Sequence, residues 1–425
     1  MQSLDLKNFP AIMLPRFVRI KQEFNRQKVE DIPGEIRVKM EPYVENLTGK
    51  RIAVGVGSRG IANIALIIKT VIDVLLKAGA KPFIIPVMGS HGGAVAEGQA
   101  DLLASFGISE ATMGVPLNAS MDVECIGEIE PGYPIYVAKS ALEADGIVII
   151  PRVKPHTCFR GPIESGICKM LVIGLGKRLG ADSVHSHGFA SFTEYIPRIG
   201  QMIAGKVNLL FAVALVENAF EDTYKIEVVP KSDILTLERE KTLLEEARRS
   251  MGRILFDKFD VLIIDEIGKN ISGDGQDPNV TGLYITKCVS GGPEFKKSAI
   301  LDVTEESHGN ANGVGMVDVT TRKLFDKIDY ISMYTNAFTS TEIEAAKVPM
   351  VAATAEDAIR MAVKMCNGVD PYCHKIVWIK NTLELTDVLI SEPLLAEAEA
   401  HPDIEVVSEA KELIFINGEP QKNLI

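Results

Sequence analysis

Four of the seven histidines in this chain, His91, His156, His185 and His187, fall in its first half, at the ends of apolar runs or on loops close to them. Imidazole titrates near neutrality and also binds metals, so such a set suits general acid–base chemistry, metal ligation, or both. His91 stands in Pro86-Val-Met-Gly-Ser-His91-Gly-Gly, where little packing competes for its ring and function outweighs a surface or capping role. His156 closes the run Gly146-Ile-Val-Ile-Ile-Pro-Arg-Val-Lys-Pro155-His156, and taken alone it could simply fix a turn. The next segment changes the weighting: a polar, glycine-bearing loop, Cys158-Phe-Arg160-Gly161-Pro-Ile-Glu-Ser165-Gly166-Ile-Cys168-Lys169, leads into another apolar run. The zinc spacings HExxH and CxxC are both absent.

A further turn, Gly55-x-Gly57-x-x-Gly60, comes after an apolar run and precedes a helical stretch, the context that a dinucleotide fingerprint demands. Three readings stand: an NAD(P) site, a tight turn with no ligand, and a substrate-binding turn using Arg59. The fingerprint needs an acid about 20 residues on to hold the ribose. The next run ends Ile-Ile-Pro-Val-Met-Gly-Ser-His and has none, which counts against NAD(P).

The elements that must position these residues are apolar runs at 51–56, 82–87, 146–151 and 209–216, each with a loop and a helix-like stretch after it. Alternation of buried strands and helices predicts a parallel α/β sheet, whose ligands sit at the carboxyl ends of the strands. Residues 231–256 are charged with helical period, and the pattern restarts with an apolar run at 260–265. The boundary is placed there: a first α/β domain at 1–255, a second at 256–400, and a tail at 401–425 packing back on the body. The second unit runs through segments at 298–303, 330–334, 349–353 and 375–379, with a helix at about 355–365; beyond 392 a helix and a short edge strand are expected. Its polar loops, Asp265-Glu-Ile-Gly-Lys269-Asn270 and Glu305-Glu-Ser-His308-Gly-Asn310, offer Lys269 as a charge facing a cleft between the domains, or are only turns. His374 and His401 read as surface residues without a role.

With 425 residues, 46% hydrophobic and 24% charged, the composition is that of an ordinary globular protein. A net charge of −12 with no basic run argues against nucleic acid or an anionic membrane as partner. The most apolar stretch, 61–80, carries Lys69, Asp73 and Lys77 on one face and is read as a helix with a solvated stripe, not a membrane span. Six cysteines without a CxxC pair and an N-terminus lacking a basic region and a long apolar core point to the cytoplasm.

Taken together and in order, Gly-Ser-His91, Pro155-His156, Ser165-Gly166-Ile-Cys-Lys169 and His185 make the chain resemble the lactate racemase family, isomerases that use a nickel pincer nucleotide. The resemblance covers most of the chain and is strongest from Gly89 to His187. It implies that Lys169 carries the cofactor covalently through a thioamide within the Ser165-Gly166-x-x-Lys169 element, and that a histidine sixteen residues on, His185, ligates nickel, with His187 as rival. It implies His91 and His156 as the catalytic pair and Arg59 as the substrate anchor. The second-domain loops, with Lys269, resemble those of the wider family. Where that family places Asp and Thr before the Arg this chain has Gly57 and Ser58, and where it places Arg before the Lys this chain has Cys168, differences that bear on substrate more than cofactor. The implied activity is racemisation or epimerisation of a small 2-hydroxy acid, with cofactor-synthesis enzymes as partners and a homo-oligomer left open. An NAD(P)-dependent oxidoreductase and a non-catalytic member of the family are the alternatives.

Overall fold

The computed structural model describes residues 3–58 and 60–425. The chain forms two compact units: Arg26–Met251, and the residues up to Asn25 together with Gly252–Ile425. Both are α/β, with parallel or mixed sheets flanked by helices.

In the unit Arg26–Met251 the sheet order is Lys81–Pro86, Arg51–Val56, Gly146–Ile150, Leu209–Glu217, Thr223–Pro230. The first four strands are parallel and the last is antiparallel to its neighbour. Every residue of Gly146–Ile150 is buried, because the sheet is covered on both faces. Alternate side chains serve two cores: Ile147, Ile149, Ala212 and Ala214 pack with Phe159, Leu171 and Ile196, while Val148, Ile150, Val213 and Leu215 pack with Ile36, Ile68 and Val71. Helix Ile64–Lys77 buries Ile64, Ile67, Ile68, Val71, Ile72 and Leu75, the spacing of one helical face, and keeps the Lys69–Asp73 ion pair in water. Among the described residues no helix is long and apolar enough to cross a membrane. The hairpin Val123–Glu130 with Tyr133–Ala138 is an element that the apolar pattern does not announce.

The other unit is an eight-stranded sheet in the order Met350–Ala352, Val319–Thr321, Lys297–Val303, Val261–Ile267, Ile376–Ile379, Asp387–Ser391, Phe17–Gln22, Ile404–Val406. The first five strands are parallel and the last three are joined antiparallel. Strand Phe17–Gln22 thus separates the first 25 residues from the unit that comes after them, a difference from the division at 1–255. Ile404–Val406 is an edge strand after the short helix Leu395–Ala400, as the tail pattern suggests. Residues 330–334 begin a helix, Tyr330–Ser340, rather than a further strand: the Asp329 carboxylate accepts the Ile331 and Ser332 N–H groups and caps it. His374, expected at the surface, is buried, and its carbonyl accepts a 2.7 Å bond from the buried Ser391 hydroxyl.

One glycine of the Gly55-x-Gly57-x-x-Gly60 turn has a packing explanation. A Cβ on Gly55 would stand 2.8 Å from Val87 Cγ2 and 3.0 Å from Ile149 Cγ2, so the strand requires glycine without any nucleotide. Replacing Gly55 by Ala should destabilise the protein by about 1–3 kcal/mol through overpacking. Urea denaturation checks this, and an unchanged midpoint would show that the neighbours can yield.

Candidate active site

The parallel strands end on one edge of their sheet, and three of the loops leaving it meet one turn of chain. The loop after Gly146–Ile150 closes on itself where Lys154 N–H donates to the Ser165 carbonyl at 3.1 Å. Inside that neck Glu164, 1% exposed, accepts the His156 N–H at 2.6 Å through Oε2. Its Oε1 meets the Arg248 guanidinium at 2.5 Å, and Arg160, 3.2 Å from Oε2, also donates to the His156 carbonyl at 2.7 Å. A buried carboxylate is tolerated only when paired and hydrogen-bonded, and these partners meet that condition while clamping both backbone groups of His156.

The His156 ring is set by its neighbours. Nδ1 accepts the Cys158 N–H at 2.9 Å, and Nε2 lies 2.6 Å from Lys169 Nζ. Phe159 packs at 4.5 Å between ring centroids and Phe189 at 6.3 Å. Burial holds the ring's proton affinity well below the usual histidine range, and a proton on the ring would also be repelled by one on Lys169 and by the charges of Lys154 and Arg160, with a contribution from His185.

Lys169 ends a short helical turn, Ile167–Lys169, that runs directly into one turn of π-helix, Met170–Gly174. The turn stands on Glu240, 1% exposed, whose carboxylate accepts the Cys168 N–H at 3.1 and 3.2 Å and is bonded to the Ile167 N–H as well. Gly166 makes this possible: a Cβ there would collide with Glu240 Oε1. Burial pushes the Glu240 carboxyl up to about 7, against the lowering effect of those bonds.

The other two loops dock on the same turn. Gly57 packs toward the Met170 methyl, where a Cβ would be 3.8 Å away. Arg59, two residues on, lies outside the described residues. Gly89, at φ +59°, comes so close that a Cβ would be 3.1 Å from Ile173 Cγ2. Lys177, buried, donates to the Pro86 carbonyl at 2.6 Å, and Gln99 donates to the carbonyls of Gly89 and His91 at 2.9 and 3.3 Å. Desolvation lowers Lys177 to about 8. These bonds fix the backbone that presents His91, whose exposed ring donates from Nδ1 to the Met88 carbonyl at 2.8 Å.

His185 is the last residue of helix Lys177–His185, and its Nδ1–H donates to the Ala181 carbonyl at 2.7 Å. Its ring stands edge-on to Phe192 and Phe189, at 5.1 and 5.7 Å, so Phe189 touches both His156 and His185. Burial lowers its proton affinity too. His187 faces elsewhere, tilted against Tyr133 at 3.7 Å and edge-on to Tyr195 at 4.6 Å, with a buried Nε2 that has no hydrogen-bond partner among the described residues. The structure therefore brings His156, Lys169 and His185 together, supports them through Gly166 and the Ser165 backbone, and sets His91 on an adjoining loop. Lys269 belongs to the other unit, where its N–H donates to Ser307 Oγ at 2.8 Å and its Nζ to the Gly273 carbonyl.

These three histidines carry defined tautomers. A backbone carbonyl beside Nδ1 puts the proton there and leaves Nε2 with the lone pair, as in His91 and His185; a backbone N–H beside Nδ1 does the reverse, as in His156. One ring can accept a proton, one can donate a proton, and one can ligate a metal. Glu164, Glu240, Arg160, Arg248 and Lys177 support these loops, and motif and spacing do not single them out. An acid immediately before Ser165-Gly166 is the only local signal for Glu164; Glu240 is too remote in sequence to have one.

No protein-family model matches the chain, and no curated protein is similar to it in sequence. Among solved structures it is similar to the lactate racemase apoprotein of Thermoanaerobacterium thermosaccharolyticum, at a TM-score of 0.51 and 14% identity over 86% of this chain and 99% of that one. This likeness shows a lactate racemase-like fold. A protein of Thermotoga maritima matches at a TM-score of 0.49 and 16% identity, over 82% of this chain and 87% of that one.

Glu240 makes stability depend on pH in a particular direction. Its folded value, about 7, lies above the ordinary 4.5, so its contribution is present in full below about 4.5 and is lost as pH rises through about 7. Relative to Glu240→Gln, the wild type should lose about 3 kcal/mol between those limits. Urea denaturation of both proteins at about pH 5 and about pH 8 measures this; a pH-independent difference refutes the buried titration.

Proposed function

We propose that this protein racemises or epimerises a small 2-hydroxy acid with a nickel pincer nucleotide tethered to Lys169. The observation that carries the reading is that Lys169 meets His156, which shares Phe189 with His185, in a lactate racemase-like fold. The residues fit the group. His185 turns its lone-pair nitrogen away from the carbonyl that binds Nδ1, the arrangement of a metal-ligating imidazole, and Lys169 presents an amine. When bound, the cofactor would supply a pyridinium ring as acceptor for the hydride of the carbinol carbon.

The chain's own residues do the rest. His91 Nε2 takes the hydroxyl proton of one enantiomer and His156 Nε2–H returns one to the other, the roles exchanging with the direction of reaction. Their tautomers prepare the two states that such a cycle needs. Arg59 anchors the substrate carboxylate by a bidentate pair, so that the planar keto acid stays long enough to be reduced on either face. Removal of either histidine breaks the cycle, and a general acid–base contribution is about 10²–10⁴-fold.

Protein co-expressed with cofactor-synthesis enzymes should carry nickel and a mass adduct on the peptide containing Lys169. His185→Ala should lose the nickel while His187→Ala keeps it; the reverse pattern moves the ligand to His187. Ligation needs a neutral imidazole, so nickel loss should accelerate in acid.

Racemisation by the loaded protein in D₂O checks the chemistry. Hydrogen at the inverted carbon should be retained, and substrate deuterated there should keep its label. His91→Ala and His156→Ala should each be slowed by about 10²–10⁴-fold, with the double variant less impaired than the two effects combined. Solvent deuterium at that carbon would replace hydride transfer by proton abstraction.

A further inference from the structure

The bond between His156 and Lys169 defines the charge of the lysine. A backbone amide offers no lone pair, so Cys158 N–H, donating to Nδ1 at 2.9 Å, makes Nδ1 the unprotonated nitrogen of the ring. The proton of the neutral imidazole is then on Nε2, 2.6 Å from Lys169 Nζ. Toward that N–H, Nζ can only accept, and an ammonium group has no lone pair with which to do so. An ammonium there would need lone pairs on both ring nitrogens at once, which a neutral imidazole does not have.

The surroundings point the same way. Lys154 and Arg160 are cations whose charge reaches the His156 ring that Lys169 meets. Glu164, the carboxylate of this loop, is engaged by Arg160, Arg248 and the His156 N–H. Like charges beside it disfavour the charged lysine.

We infer that His156 holds Lys169 as a neutral amine, a nucleophile at neutral pH toward an acyl or thioacyl carbon, and so serves the attachment of a group to this lysine before it serves turnover. That the group is the pincer nucleotide rests on the function proposed above; the neutral amine does not. Attachment to a thiocarboxylic acid balances without any oxidant or reductant. Nζ attacks the carbon, the C–N bond forms, and the C–O bond breaks. The oxygen leaves as water with one proton from the amine and one from the thiocarboxylic acid, and the product is a thioamide. Its nitrogen lone pair is delocalised, so it no longer accepts from Nε2–H. Attachment therefore releases the His156 proton for the substrate.

The test uses the full chain made without cofactor-synthesis enzymes and trace acetic anhydride, a small amine-selective probe, with per-lysine rates read by peptide mass spectrometry. At about pH 7 Lys169 should react at least about tenfold faster than the exposed Lys7 and Lys258, with a midpoint at least about one pH unit lower, since one unit changes the neutral-amine fraction tenfold. His156→Ala should cut the Lys169 rate severalfold toward that of the exposed lysines. His156→Gln, which keeps an N–H donor, should retain the fast rate while losing racemisation. Equal rates and midpoints for Lys169 and the exposed lysines in the wild type overturn the inference, whatever the variants do. A rate unchanged in a folded His156→Ala overturns the role of His156. A fast Lys169 that gains no adduct after co-expression rejects the proposed function and leaves the neutral amine standing; an adduct on a slow Lys169 does the opposite.

Discussion

A carboxylate buried beneath a turn holds the site in place. Glu240 has almost no exposure, and its oxygens take the N–H groups of Ile167 and Cys168 at the start of the turn that ends in Lys169. Burying a carboxyl group costs several kcal/mol unless hydrogen bonds offset it, so this group and this turn are stable only together. Glu164 repeats the device one loop earlier, with Arg160 and Arg248 as its counter-charges and the His156 backbone as its load. Both carboxylates work from below, which leaves the side chains above them to meet each other.

The histidines show how a backbone neighbour decides what a ring can do. His91, His156 and His185 are chemically identical, yet a carbonyl beside Nδ1 in two of them and an amide in the third give opposite tautomers. Desolvation disfavours the charged form of both His156 and His185, so tautomer rather than charge distinguishes the two rings. The same desolvation acts on Lys177, but there a carbonyl and an amide oxygen surround the amine and the result is a structural tie to the loop of His91.

Close packing brings the loops within reach of one another. Gly57, Gly89 and Gly174 all face neighbours across the turn 167–174, and Gly174 lies against Val87 so tightly that a methyl group would not fit. The sheet beneath is buried on both faces, which fixes the strand ends and hence the loops. A site built on such a scaffold needs little reorganisation to act.

The strands ending at Val56, Pro86 and Ile150 are legible in the sequence because a sheet covered on both faces needs continuous apolar runs, and loops at their carboxyl ends follow from parallel order. His91, His156 and Lys169 are legible as candidates for the same reason: each lies in a polar or glycine-bearing stretch bordered by such runs. The ordinary composition and the charge of −12 are likewise properties of the chain alone. What the sequence does not contain is any local mark of a partner distant along it. Glu240 beneath Cys168, Arg248 on Glu164, Lys177 on Pro86 and strand Phe17–Gln22 between Asp387–Ser391 and Ile404–Val406 are all pairings across long separations. The tautomer of each histidine belongs with them, since a hydrogen-bond partner is chosen by where the folded backbone passes and not by the type of residue that needs it.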